Sequence, residues 1–150
     1  MTVRPARLDD LPQLSELLDG YRCFYGQPSD LEAARHFLAQ RLELGDSHVL
    51  VSEDSGNQLQ GFVQLYPLFT TVRLASLWVL NDLFVAPQAR RFGTGRALMK
   101  AAQELAQRHG VRQLKLATQI ENRTAKSLYE SLGWQRDLIF DHYSLLLEQK

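Results

Sequence analysis

Apolar positions recur at helical spacing near the start of the chain, at strand spacing through its middle, and at helical spacing again beyond residue 94. Val3–Arg7 alternates and reads as a short strand. Leu11, Leu14, Leu17, Leu18 and Tyr21 then fall on one helix face, with Asp9 and Asp10 placed to cap it. A second helix carries Leu31, Ala34, Phe37, Leu38 and Leu42. Ser29 and Glu32 form a capping box at its start, and Gly45 stops it. His48–Glu53 and Leu59–Tyr66 pair as a hairpin around Asp54, Ser55, Gly56 and Asn57. Leu74–Val85 is a longer apolar run ended by Pro87. Gly95–His109 turns Leu98, Ala101, Ala102 and Leu105 inward and stops at Gly110. Gln113–Thr118 is a strand, and Asn122 caps a short helix ending before Gly133. Gln135–Ile139 and Tyr143–Leu147 are expected to close the chain as two more strands. The order β-α-α-β-β-β-α-β-α-β-β predicts a mixed α/β (α+β) sheet, mostly antiparallel, with one right-handed β-α-β crossover through the Gly95 helix. No linker or repeat interrupts it, so residues 1–150 are expected to form one domain.

Composition narrows the field. The 150 residues are 45% apolar and 23% charged, which suits a single globular core and excludes disorder, collagen and coiled coil. Seventeen basic residues balance seventeen acidic ones, so no overall field draws the chain to nucleic acid or an anionic membrane. Neither is expected as a partner. Cys23 is the lone cysteine, which allows no internal disulfide and fits a reducing, cytoplasmic setting. The N-terminus turns charged too early for a secretion signal, and no apolar run reaches the roughly 18 residues of a membrane span. The four histidines lack metal-ligand spacing, so no metal is expected.

The chemistry concentrates in LNDLFVAPQARRFGTGRALM, Leu80 to Met99. An apolar strand runs into a loop with three arginines and two glycines, then a helix. Gly93 and Gly95 let the backbone turn with its N–H groups pointing one way. The helix adds its unpaired N–H groups and the positive end of its dipole. Arg90, Arg91 and Arg96 add full charges. A pyrophosphate suits such a place. A P-loop would need Lys-Ser/Thr after Gly95, where Arg96 and Ala97 stand; a dinucleotide fingerprint would need glycine at Leu98. A glycine turn with solvated arginines is the plainer alternative.

Arg90-x-x-Gly93-x-Gly95 after an apolar strand resembles motif A of the GNAT acetyltransferase superfamily. NRTAKSLYESLGW, Asn122 to Trp134, resembles its motif B. The element order matches that fold end to end. The resemblance implies a central sheet with splayed strands that form a coenzyme A cleft. It implies transfer of acetyl from acetyl-CoA directly to a primary amine, without a metal. It assigns the amides of Phe92, Gly93, Thr94, Gly95 and Arg96 to the pyrophosphate. Arg90 and Arg91 would flank it or reach the 3′-phosphate. Leu83, Phe84 and Val85 would offer strand-edge groups to the pantetheine arm, beside a bulge. Asn122 would hydrogen-bond the pantetheine or only cap its helix, and Lys126 joins this cofactor set. Tyr129 would be the general acid for the thiolate, or else a packed core tyrosine.

Asp82, on the strand flooring the cleft, is the candidate base; the alternative is a carboxylate satisfied by a backbone amide. LYPLFTTVRLASLWVLNDLFV resembles the polyamine branch of the superfamily, with Tyr66 and Asp82 matching. Asn81 departs from it, standing where the spermidine/spermine enzymes carry glutamate. Tyr21, Phe24, Tyr25, Tyr66 and Phe69, with Asn81, are expected to line an acceptor pocket for a small amine, cations favouring aromatic faces. Core and dimer packing is the alternative for these rings. A homodimer through the C-terminal strands is expected. Acetylation of a protein lysine or N-terminus, or a coenzyme A-binding module without turnover, are the other readings.

Overall fold

The computed structural model describes residues 1–149. They divide into two compact units, Met1–Ala117 and the segment from Thr118 onward.

The first unit holds a five-stranded sheet in sequential order: β1 Thr2–Pro5, β2 His48–Glu53, β3 Leu59–Thr70, β4 Ala75–Val85 and β5 Gln113–Lys115. β1 to β4 pair antiparallel, and β5 pairs parallel to β4 after the connecting helix. Three helices accompany the sheet: α1 Leu11–Phe24, α2 Leu31–Leu44 and α3 Thr94–Arg108. Leu11, Leu14, Leu17 and Leu18 of α1 pack with Ala34 and Leu38 of α2 against Val49, Val51, Phe62 and Phe84. Each of the Leu, Val and Phe side chains contributes about 1.5–3 kcal/mol on leaving water. The alternate positions Leu50, Val63 and Leu65 are equally buried and point the other way, to α3 with Leu98, Met99 and Ala102. β3 and β4 approach closely at Gly61, where a Cβ would meet the Phe84 carbonyl oxygen at 2.7 Å.

Local details differ from the sequence expectation in instructive ways. Asp30, not Ser29, caps α2: its side chain accepts from the Ala33 N–H, while the Ser29 hydroxyl donates to Asp19 at 2.6 Å. The Asp10 side chain does not cap α1, because its carboxylate is engaged by the two terminal guanidinium nitrogens of Arg4 and by the Arg7 N–H. Leu31 and Phe37 are exposed, so the buried stripe of α2 is narrower than its apolar stripe. β3 runs on to Thr70, past the expected end at Tyr66.

The second unit contains α4, Arg123–Ser131, capped by Asn122, whose Oδ1 accepts from the Ala125 N–H at 3.2 Å. The two closing strands expected at 135–139 and 143–147 do not form: the described residues after Leu132 hold no strand. Alternating apolar residues make a strand only where a neighbour accepts their backbone bonds. Here Ile139, Tyr143, Leu145 and Leu146 are all more than four-fifths exposed.

Candidate functional site

Two features of β4 build the site in the first unit. The first is a bulge. Gln64 pairs with Asp82, but Leu65 pairs with Leu80, leaving Asn81 as an extra residue on β4. In a regular strand Asp82 would share the face of Leu80, inside the apolar layer under α3. The extra residue turns Asp82 to the α1 face, opposite Gln64.

The second is a free edge. β5 pairs only with Leu77, Trp78 and Val79, so β4 from Leu80 onward has no strand beside it on that side among the described residues. The Ala86 N–H donates to the Gln60 carbonyl at 2.8 Å. By antiparallel alternation, the backbone groups of Phe84 also face β3, and those of Leu83 and Val85 face the open edge. The Phe84 backbone is therefore not available there, contrary to the sequence expectation. The Val85 carbonyl accepts from Arg90 Nε at 3.0 Å.

Asp82 is 9% exposed. Gln64 Nε2 donates to its Oδ2 at 3.0 Å, and Asn81 Nδ2 donates to its Oδ1 at 3.1 Å. Gln64 in turn accepts from the Ser47 hydroxyl at 2.9 Å. Two neutral amides thus hold this buried carboxylate, and the Tyr21 hydroxyl reaches it as well. Burial, and next the Asp82 charge, push the Tyr21 hydroxyl well above the ordinary phenol range. Burial and then Asp82 also raise Tyr66. Tyr21 meets Phe84, Phe62 and Tyr25 edge-on, and Phe24 meets Tyr25 likewise. So Tyr21, Tyr66 and Asn81 gather at Asp82, and Phe24 and Tyr25 join through Tyr21. Phe69 does not: it is 84% exposed, five residues along β3 from Gln64, on the opposite face.

Beyond β4 the chain makes a 3₁₀ turn at Pro87–Ala89 and enters the arginine loop. Arg91 (φ 71°) and Gly93 (φ 81°) are left-handed, so the backbone reverses twice before α3. Gly93 caps α3 without a side chain, and the first intrahelical bond runs from the Ala97 N–H to the Gly93 carbonyl. The N–H groups of Thr94 and Gly95 stand ahead of that bond at the positive helix end. A Cβ on Gly93 would meet nothing within 4 Å, so the space over the loop is open. Exposed Arg91 and Arg96 flank it, and Phe92 is exposed. This donor set fits a pyrophosphate. Arg90 departs from expectation: its guanidinium lies over the Phe84 and Phe24 rings as well as on Val85.

In the second unit, Lys126 Nζ donates to the Ile120 carbonyl at 2.9 Å, and the Tyr129 ring lies 6.3 Å from that of Trp134. Asn122 performs the capping role described above.

Gln64 and Ser47 escaped the sequence reading. The signal for Gln64 was present: it is the one polar residue in the inward series Phe62, Gln64, Tyr66. Nothing in the sequence marks Ser47.

The profile of the acetyltransferase (GNAT) family matches residues 13–134. An uncharacterized N-acetyltransferase, YhfO, of Bacillus subtilis (strain 168) is 43% identical over all of both chains. The thialysine N-epsilon-acetyltransferase of Mus musculus is 32% identical over 55% of this chain and 48% of its own. The crystal structure of a probable acetyltransferase superposes over the full length of both chains with a TM-score of 0.93 at 34% identity.

Proposed function

This chain belongs to the acetyltransferase (GNAT) family, and from that premise we propose that it moves the acetyl group of acetyl-CoA directly to a small primary amine. One observation carries the reading: a buried carboxylate, Asp82, held by neutral amides on the strand whose next residue opens to the free edge.

Acetyl-CoA supplies the activated thioester when bound. The chain does the rest. The Thr94 and Gly95 N–H groups, with Phe92, Gly93 and Arg96 and the charge of Arg91, hold the pyrophosphate. Leu83 and Val85 offer edge groups to the pantetheine arm, and an edge N–H polarises the carbonyl being attacked. A primary amine with a pKa of about 10.4 is only about one part in a thousand neutral near pH 7.4, a cost of about 4 kcal/mol. Asp82 favours the ammonium's approach and takes its proton, and the lone pair so freed attacks the thioester carbon, forming the C–N bond as the C–S bond breaks. Motif B assigns the proton for the departing thiolate to Tyr129 and a place beside the cofactor to Asn122 and Lys126.

Tyr21, Tyr66 and Asn81 around Asp82, and Phe24 and Tyr25 beside them, suit a slender cation. Phe69 has no part in this pocket. The relative named for the ε-nitrogen of thialysine points the same way. A thiol-release assay with acetyl-CoA over polyamines, amino acids and a lysine peptide tests the reading. Turnover of a small amine, abolished or strongly reduced in Asp82→Asn, is expected; turnover of the peptide alone overturns it.

The exposed apolar residues at 139–147 support a homodimer in which a second copy covers them. Light scattering should give twice 17.2 kDa at micromolar concentration; a species of 17.2 kDa alone refutes it.

A further inference from the structure

A buried primary amide has an acceptor and a donor end, and which end points where has to be decided by its neighbours. Gln64 is 1% exposed, between β2 and β4. The Ser47 hydroxyl donates to its Oε1 at 2.9 Å, and its Nε2 donates to Asp82 Oδ2 at 3.0 Å. The reversed amide would press Oε1 against the carboxylate oxygen, two acceptors with no proton between them. The carboxylate, which only accepts, therefore selects the orientation, and the Ser47 hydroxyl holds the end that remains. Asn81, the bulge residue, holds the other carboxylate oxygen at 3.1 Å. Asp82 is thus gripped at both oxygens from two sides, by donors that carry no charge. A cation in their place would orient the carboxylate equally well but cancel the charge that an ammonium needs to meet.

We infer that Gln64, anchored at its far end by Ser47, is a positioning residue for acetyl transfer: it fixes the direction from which the Asp82 carboxylate receives the amine proton. The inference rests on Asp82 as the base proposed above. Gln64 touches no reacting atom. Gln64 also bonds to the Tyr66 hydroxyl; its effect on proton transfer runs through Asp82, and that part separates it from a residue that only supports the fold.

A double-mutant cycle reads this property. kcat and both KM values are measured for Gln64→Leu, Ser47→Ala and Asp82→Asn, and for the first two combined with Asp82→Asn, using the best amine from the panel. Gln64→Leu is expected to lower kcat about 10- to 100-fold, as misplacing a catalytic group by about 1 Å does. Ser47→Ala is expected to lower it about 3- to 10-fold by the same argument. The acetyl-CoA KM stays unchanged, and neither variant lowers kcat further once Asp82→Asn is present. Equal losses in both backgrounds would make Gln64 a packing residue and overturn the inference. So would full kcat in both single variants while Asp82→Asn is impaired, which leaves the base intact. Full activity of Asp82→Asn would instead remove the base itself, and the inference with it. Ser47 is half-buried just ahead of β2, so the Ser47→Ala arm completes a cycle even where Gln64→Leu does not fold.

Discussion

Arg90 donates its Nε proton to the Val85 carbonyl at 3.0 Å, with its guanidinium 5.5 Å from the Phe84 ring centre and 5.9 Å from that of Phe24. The first arginine of the arginine loop is thereby tied back to the end of the strand that precedes it. It ties α1 to the same point, since Phe24 is the last residue of that helix.

Arg90→Ala is accordingly expected to act on stability more than on the cofactor. Loss of the bond and ring contacts of this exposed side chain should cost about 1 kcal/mol, or about 2–4 °C in Tm for a chain this long. The acetyl-CoA dissociation constant should rise less than about 5-fold, under 1 kcal/mol. A tenfold loss of affinity at unchanged Tm would return Arg90 to the phosphate.

Gly93 separates backbone conformation from occupancy. At φ 81° any side chain is strained by roughly 1–2 kcal/mol, although the space above is open. Gly93→Ala should lower Tm yet keep a cofactor-induced rise in Tm. Gly93→Glu adds an anion to the same strain and should abolish that rise. A preserved rise in the glutamate variant would place the pyrophosphate elsewhere.

Tyr129→Phe keeps the ring beside Trp134 and removes only the hydroxyl. A proton for the thiolate matters only as the C–S bond breaks, so the loss belongs to the transition state. kcat should fall about 10- to 1000-fold with acetyl-CoA affinity unchanged, since a thiolate already leaves well. Full kcat from pH 6 to 10 would make the tyrosine a packing residue.

His48 stacks on Trp78 at 4.2 Å between ring centres, and His109 lies 5.1 Å from both rings. Burial first, and then His109, hold the His48 pKa below its ordinary 6.5. The folded state therefore binds fewer protons than the unfolded one below about that pH. The stability present above 6.5 should be lost progressively as pH falls through 6.5 toward the folded pKa. His48→Phe keeps the stack and cannot titrate. Its Tm should decline less than that of the parent chain between pH 7.5 and 5; parallel curves would show that His48 does not contribute.

The residues that could be read correctly from the chain alone are those whose partners lie within a turn. Asn122 caps α4 through the amide three residues on. Gly45 and Gly110 take the left-handed conformation their positions demand. Leu11, Leu14, Leu17 and Leu18 share a face because 3.6-residue periodicity puts them there. The arginine loop and its helix were legible for the same reason, since a cradle of consecutive amides is made within about six residues. Capping was harder where choices competed: Ser29 or Asp30 could serve α2, and Asp19 decided between them by engaging the Ser29 hydroxyl from α1.

Where the partner is distant in sequence, the chain alone carried less. A strand's backbone bonds belong to its neighbour, so apolar alternation at 143–147 could not show whether a neighbour exists. The face that Asp82 takes depends on a one-residue mismatch between β3 and β4, and no local pattern at Asn81 announces it. The bonds from Ser47 through Gln64 to Asp82 join residues 17 and 18 positions apart. The sequence alone therefore determined the helices, the arginine loop and the family motifs, each made within a short stretch of chain. Tertiary structure alone decided which way the carboxylate points and what holds it there, because strand register is settled only when the whole sheet is assembled.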